Sequence, residues 1–230
     1  MKRSSICALL LLLVLLVGCS STKQRQEVDE TAVEQALISV VELASQSVDA
    51  NLFSSMGQRI LPAEAIVLSQ RSEIPLFLER LDHYTAEVLQ AYRQTILEAP
   101  ALVSESLARV VWIESPKILQ AGNQSATDQL LKQQGPALRK SLESVLRREL
   151  ASSRQDWDML LDRYSIWQRG TATWTLPALT EVTIDPLEHQ IEFFLSVYLR
   201  QLAFQEQQLR TTPVIRGSGS FLEIFQQEGR

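Results

Sequence analysis

The apolar residues of this 230-residue chain recur at helical spacing, and that rhythm limits the fold more than any other feature. The clearest case is Leu138, Leu142, Val145, Leu146 and Leu150, which share a face while Arg139, Lys140, Glu143, Arg147 and Arg148 lie largely elsewhere. Val33, Leu37, Val40, Val41, Leu43, Ala44 and Val48 predict a first helix over about 30–52. Phe77, Leu81, Tyr84, Val88 and Tyr92 predict a second long helix starting near Glu73, with Pro75 tolerated in its first turn. Asp185-Pro186 opens the longest late helix, with Ile191, Phe194, Leu195, Tyr198, Leu199 and Leu202 inward and an end around Thr211.

Breakers divide these stripes. Residues 51–63 read as irregular, with Gly57 and Pro62 as breakers. Pro100 and Pro116 each mark the expected start of a helix. Residues 122–125 form a turn ahead of a helix that Thr127 would cap, and Gly135-Pro136 is expected to separate that helix from the stripe beginning at Leu138. Residues 170–184 depart from the pattern: they are β-branched and alternate around Pro177, which suits a short hairpin and an extended loop equally. No repeat of 20 to 50 residues is present. The expected architecture is all-α: a single multi-helix domain over 31–228, with room for one short β-hairpin near 170–184.

The N-terminus carries a different pattern. Lys2 and Arg3 precede an apolar run from Ile6 to Val17, too short to span a bilayer, and Gly18 then precedes Cys19. Leu16-Val17-Gly18-Cys19 closely resembles the bacterial lipobox. That resemblance implies a signal peptide over 1–18, diacylglycerol on the Cys19 thiol and cleavage just before Cys19. Ser20 in the next position corresponds to the outer-membrane sorting class, so the expected location is the cell envelope, at the outer membrane facing the periplasm. Two or more acyl chains on one cysteine anchor a protein stably, whereas one chain binds only marginally. Residues 19–30 are then a lipidated N-terminus and polar tether, reaching roughly 20 Å as a random coil.

Processing also changes what holds the chain together. Cys7 leaves with the signal and Cys19 is taken by lipid, so the mature chain has no thiol for a disulfide. Its stability must come from a packed core. The formal charge moves from −5 to about −7, which argues against nucleic acid as a partner.

Three segments line up in order beyond this. Ile60-Leu61-Pro62 follows the first helix, Ile118 to Asp128 leads into a helix, and the tail runs from Gln205-Glu206 through Leu209-Arg210 to Pro213 and then Phe221 to Phe225. The series resembles the exported bacterial family catalogued as domain of unknown function 4197. That family shows an I-x-L-P-like element, an I-L-x-G-G-D-x-A-A-T-x-Y-F segment and an E-E-x-x-I-R-x-x-P tail. The resemblance covers about residues 31–228 and implies an exported, mainly helical protein with no activity assigned to the class. Here Ala121-Gly122 stands for the paired glycine, Asn123-Gln124 for the acidic pair, Leu130-Leu131 for the aromatic pair and Gln205 for one glutamate. These substitutions remove polar groups that a shared site would use.

Catalytic and binding patterns are sparse. Glu79, His83 and Glu87 are spaced i, i+4, i+8, which suits a metal site and equally a solvated helix face. His189 lies between Glu188 and Glu192 in the same manner. No serine sits in a G-x-S-x-G elbow. Gly217-Ser218-Gly219 lacks the lysine of a phosphate loop. Arg139, Lys140, Arg147 and Arg148, with Arg154 beyond them, form a basic cluster that could face anionic headgroups or envelope polymer; the plainer reading is a solvated face with pairs such as Glu143 to Arg147. Trp112, Trp157, Trp167 and Trp174 are expected in the core, with an apolar groove as the alternative for the last three.

The expected function is a non-catalytic envelope lipoprotein, a membrane-anchored interaction or structural module, with no cofactor beyond the lipid on Cys19. Its expected partners are the membrane, through that lipid, and another envelope protein. The alternatives are a carrier or sensor for a lipid-like ligand between helices, and a hydrolase without a recognisable motif.

Overall fold

A computed structural model describes residues 29–68, 74, 76–171, 186–211 and 225. The signal, the lipobox, most of the tether and residues 172–185 lie outside these residues; of the hairpin reading over 170–184, Gly170 and Thr171 instead end a helix and the rest falls in that stretch. The described chain is all-α and forms a single domain.

Helix α1 spans Glu30–Gln46. The Asp29 carboxylate accepts from the Thr31 N–H at 3.0 Å and so caps it, while Val33, Ala36, Leu37, Val40, Val41 and Ala44 form its buried stripe. The helix stops at Gln46 and not near 52, because the Ser47 N–H and hydroxyl both donate back to the last turn. The Asp49 carboxylate then takes the Asn51 N–H at 2.8 Å and turns the chain. Val48 and Phe53 remain buried beyond the helix end, so the apolar pattern outlasts the helix. A 3-10 segment, Ser54–Ile60, is kinked at Gly57, whose φ of 53° favours glycine. Helix α2 is Ala63–Leu68.

Helix α3 runs from Phe77 to Leu107. It starts four residues later than Glu73, at a left-handed Leu76 with φ 59° whose carbonyl accepts the Arg80 N–H. It also passes through Pro100, which does not begin a new helix. An interior proline weakens a helix by about 3 kcal/mol. Ile96, Ala99, Val103 and Leu107 are all buried across that point, and each large one contributes about 1.5–3 kcal/mol. The stripe outweighs the proline.

Helix α4 is Ser115–Gln120, with Pro116 in its first turn as expected. Helix α5, Ser125–Glu149, continues through Gly135-Pro136 for the same reason: Leu130, Leu138 and Leu142 are fully buried on one stripe while Pro136 faces solvent. Thr127 is not its cap; the helix begins two residues earlier and Thr127 lies buried in the first turn. Helices α6, Ala151–Thr171, and α7, Pro186–Thr211, complete the described fold.

The long helices α3 and α5 pack together at the centre, α1 and α7 pack against each other and on that pair, and α6 lies along α3. The turn after α1 sends Phe53 inward to stack on Phe194 at 5.2 Å and meet Tyr92 at 4.6 Å. A buried amide organises the polar atoms there. Gln190 Nε2 donates to the Tyr84 hydroxyl at 3.2 Å, and the Tyr92 hydroxyl donates to Gln190 Oε1 at 2.5 Å. This ties α3 to α7 through groups that would otherwise be unsatisfied. No described helix is long and apolar enough to cross a membrane.

Candidate functional site

The first turns of α3 and the second turn of α6 enclose an open cleft of about 530 Å³, lined by Leu76, Glu79, Arg80, His83 and Asp156. Each wall has a local cause. The left-handed backbone at Leu76 leaves that side chain 57 % exposed at the rim, in a conformation that a branched side chain adopts at a penalty of about 1–3 kcal/mol. Glu79, Arg80 and His83 follow at i, i+1 and i+4 on α3, so glutamate and histidine share a face. Asp156 comes from α6. Its carboxylate, largely buried, lies 2.9 Å from His83 Nδ1, while the imidazole itself is exposed. With Nδ1–H donating to the carboxylate, Nε2 points to solvent as an acceptor. The Arg80 Nη1 packs 3.6 Å from the Met159 sulfur, and its Nε is buried with no acceptor.

The Asp156–His83 pair has the orienting half of a nucleophilic relay. The other half is absent among the described residues: His83 bonds to no hydroxyl there, and the Ser152 hydroxyl, one turn before Asp156, donates to Glu87 at 3.0 Å. Among the described residues no three His, Cys, Asp or Glu side chains could hold a metal. Of the three residues spaced i, i+4, i+8, His83 and Glu87 bond to Asp156 and Ser152 of α6, and Glu79 lines the cleft.

The basic cluster is paired. Arg139 bonds Glu192 at 2.9 Å, Arg147 bonds Glu143 and Glu188, and Arg148 bonds Glu98 and Glu149, while Lys140 is exposed. Hydrogen bonds to Glu188 and then Glu143 hold the Arg147 guanidinium more firmly in its charged form. These bridges join α5 to α7 and α3, and they use the glutamates flanking His189, whose ring stacks on Phe193. Trp112 and Trp157 are core residues and Trp167 packs against the core; Trp174 lies outside the described residues, as do Cys19, Leu16, Val17, Gly18 and the Gly217-Ser218-Gly219 turn.

A second polar constellation is centred on a buried ion pair. Glu206 of α7 reaches the start of α5, where its carboxylate accepts from the Ala126 N–H at 3.1 Å and the Thr127 N–H at 2.7 Å. A neighbouring helix thus supplies the cap that α5 does not make from its own side chains. Arg210, one turn on, places Nη2 2.6 Å from Glu206 Oε1 as an ion contact, and its Nη1 donates to the Gly122 carbonyl at 2.8 Å. Gly122 has φ 143°, open to glycine and strained for other residues. The Phe225 ring covers the guanidinium at 4.6 Å. Burial pushes the Glu206 carboxyl upward, opposed by Arg210 and by the groups of Thr127 and Ala126; burial likewise lowers Arg210, opposed by Glu206. Of the segments that carry the family resemblance, residues 118–128 and the described part of the tail, 205–211, meet at this staple.

Sequence pattern pointed to His83 and Glu79, but not to Asp156, which is 73 residues from His83 and shows no local signal. Glu206 and Arg210 had a visible i, i+4 spacing, yet nothing marked them as buried. No family model, curated protein or solved structure matches the chain, so its likeness to the exported helical family rests on the quoted segments alone.

Proposed function

We propose that this chain is a lipid-anchored envelope protein whose helical domain is a non-catalytic interaction or structural module, with the α3–α6 cleft as the point that receives a protein partner. The observation that carries this reading is the composition of the cleft. Four of its five lining side chains are ionisable, of both signs, and the fifth is the exposed Leu76. An apolar anchor beside arginine, imidazole and carboxylates matches the chemistry of protein interfaces, where an apolar centre sits within a polar rim. The same lining suits an acyl chain poorly, which weighs against the carrier reading. The Ser152–Glu87 bond weighs against the hydrolase.

A photo-crosslinking residue at Leu76, expressed in the intact envelope, tests the reading. A discrete protein adduct is expected from that position and not from Leu97, an exposed leucine further along α3. His83→Ala or Arg80→Ala should weaken that adduct. Equal, diffuse labelling from both positions, insensitive to those substitutions, would refute the cleft as a docking point.

A further inference from the structure

Between α3 and α4, residues 110–112 are neither helical nor paired into a strand, and side-chain burial alternates as it does on an extended chain. Val110 and Trp112 are buried, while Val111 is 58 % exposed and Ile113 is 72 % exposed. Residues two apart on an extended segment share a face, so Val111 and Ile113 project together as an apolar tip. Glu114 then turns left-handed with φ 56° and sends the chain into α4, which leaves Ile113 at the apex.

The peptide groups of Val111 are satisfied from within. The Gln133 amide accepts from the Val111 N–H at 2.9 Å and donates to the Val111 carbonyl at 2.8 Å, as a partner strand would. Gln134 donates to the Arg109 carbonyl at 3.2 Å. Val111 can therefore leave water without orphaning its own N–H and carbonyl, and Ile113 at the apex needs only the shallow interfacial layer, where headgroups and water still reach its peptide groups.

The position of the tip identifies what covers it. Ser115, two residues after Ile113, donates to the Glu30 carbonyl at 3.3 Å, and α4 packs along α1. The apolar tip therefore stands at the end of the domain where the N-terminal chain enters. Only ten residue steps separate Cys19 from Asp29. Ten steps reach about 16–19 Å as a random chain and about 35 Å fully stretched. Helix α3, at 31 residues, is about 46 Å long. An acylated Cys19 thus holds this end of the domain at the leaflet, and the far ends stand off.

We infer that the Val111–Ile113 tip inserts into the interfacial layer of the membrane that carries the acyl chains and sets the orientation of the domain on it. The inference rests on the lipid-anchor reading. The contact is apolar in nature: the nearby cations are paired locally, Arg109 with Glu105 and Lys117 with Glu114, so salt does not release the tip.

The test uses the full acylated chain in vesicles of phosphatidylethanolamine and phosphatidylglycerol. Cys19 is then blocked by lipid, so Ile113→Cys takes an environment-sensitive nitrobenzoxadiazole label alone. The expected result is a several-fold rise and blue shift in emission on reconstitution, unchanged by salt and largely lost on adding spin-labelled lipid. Val111→Cys should respond likewise, and Ile166→Cys, exposed on α6, should not. The mass of the N-terminal peptide and flotation with the vesicles report the anchor separately. Acylation and flotation with an Ile113→Cys label as open to aqueous iodide as that at Ile166→Cys would overturn the tip insertion alone. Absence of acylation and flotation would overturn the anchor, and this inference with it. A response that needs added envelope proteins would assign the tip to a protein partner and also overturn the inference.

Discussion

Replacing Glu206 by alanine removes a carboxylate that does two things at once: it caps α5 and neutralises Arg210. Both partners are essentially solvent-free, at 0 % and 3 % side-chain exposure, so water cannot step in when one is lost. The carboxylate accepts two backbone N–H groups, and hydrogen bonds to a charged group contribute about 1.5–3 kcal/mol each. Removing one member of a buried ion pair destabilises a protein by about 3–5 kcal/mol, because the remaining charge stays buried. The two figures describe overlapping losses, so Glu206→Ala is expected to lose about 3–5 kcal/mol in total. For a domain of this size that lowers Tm by roughly 6–20 °C. Urea unfolding of the chain from Ser20 onward, followed by circular dichroism, measures it directly. The double variant Glu206→Leu/Arg210→Met removes the stranded charge and retains only the missing cap, so it should lose about 1–2 kcal/mol, less than Glu206→Ala alone. The reasoning is refuted if Glu206→Ala loses under 1 kcal/mol. It is equally refuted if Glu206→Leu and Arg210→Met add within about 0.5 kcal/mol, as uncoupled sites do.

Other perturbations follow from the same geometry. Burial raises the Tyr92 hydroxyl well above its ordinary value, with Tyr84 adding to it, and burial raises Tyr198 too. A raised folded pKa means stability that is intact below the unfolded value of about 10 and lost as pH climbs above it, by about 2.7 kcal/mol per pH unit for two tyrosines. Absorbance at alkaline pH should therefore show both ionising together with unfolding; smooth ionisation of all tyrosines in a folded chain would contradict their burial. Pro136→Ala restores an N–H inside α5 at an exposed position and should stabilise the chain by about 1–2 kcal/mol in urea, after allowing for the looser unfolded chain. Destabilisation there would argue that the helix does not run through. Cys19→Ala should release the domain from the membrane fraction with its circular dichroism and melting unchanged; a variant that stays tightly bound would argue against the anchor.

The helical stripes were legible because helix period is a local property. Residues such as Val33, Leu37 and Val40, or Leu138, Leu142 and Leu146, announce a buried face whatever lies across from it. The proline positions misled for the opposite reason. Pro100 and Pro136 carry the same local penalty as any interior proline, and only the burial of residues on both sides decides that the helix continues. The start of α3 shows the same limit, since a left-handed leucine at 76 has no sequence signature.

By itself the sequence determined an all-α chain and its main apolar faces, since these depend on residue type and short-range spacing. It also showed a lipobox-like run ending at Cys19, which remains the basis of the anchor proposal. Tertiary structure alone decided which charges meet. Arg147 adds Glu188 to the Glu143 pairing that its i, i+4 spacing announced, Arg148 gains Glu98, His83 acquires Asp156, and Glu206 becomes the cap of a helix that begins 81 residues before it. Such partners lie far apart along the chain, and what a charged side chain does depends on burial and on its neighbour across the interface, neither of which is written in local spacing.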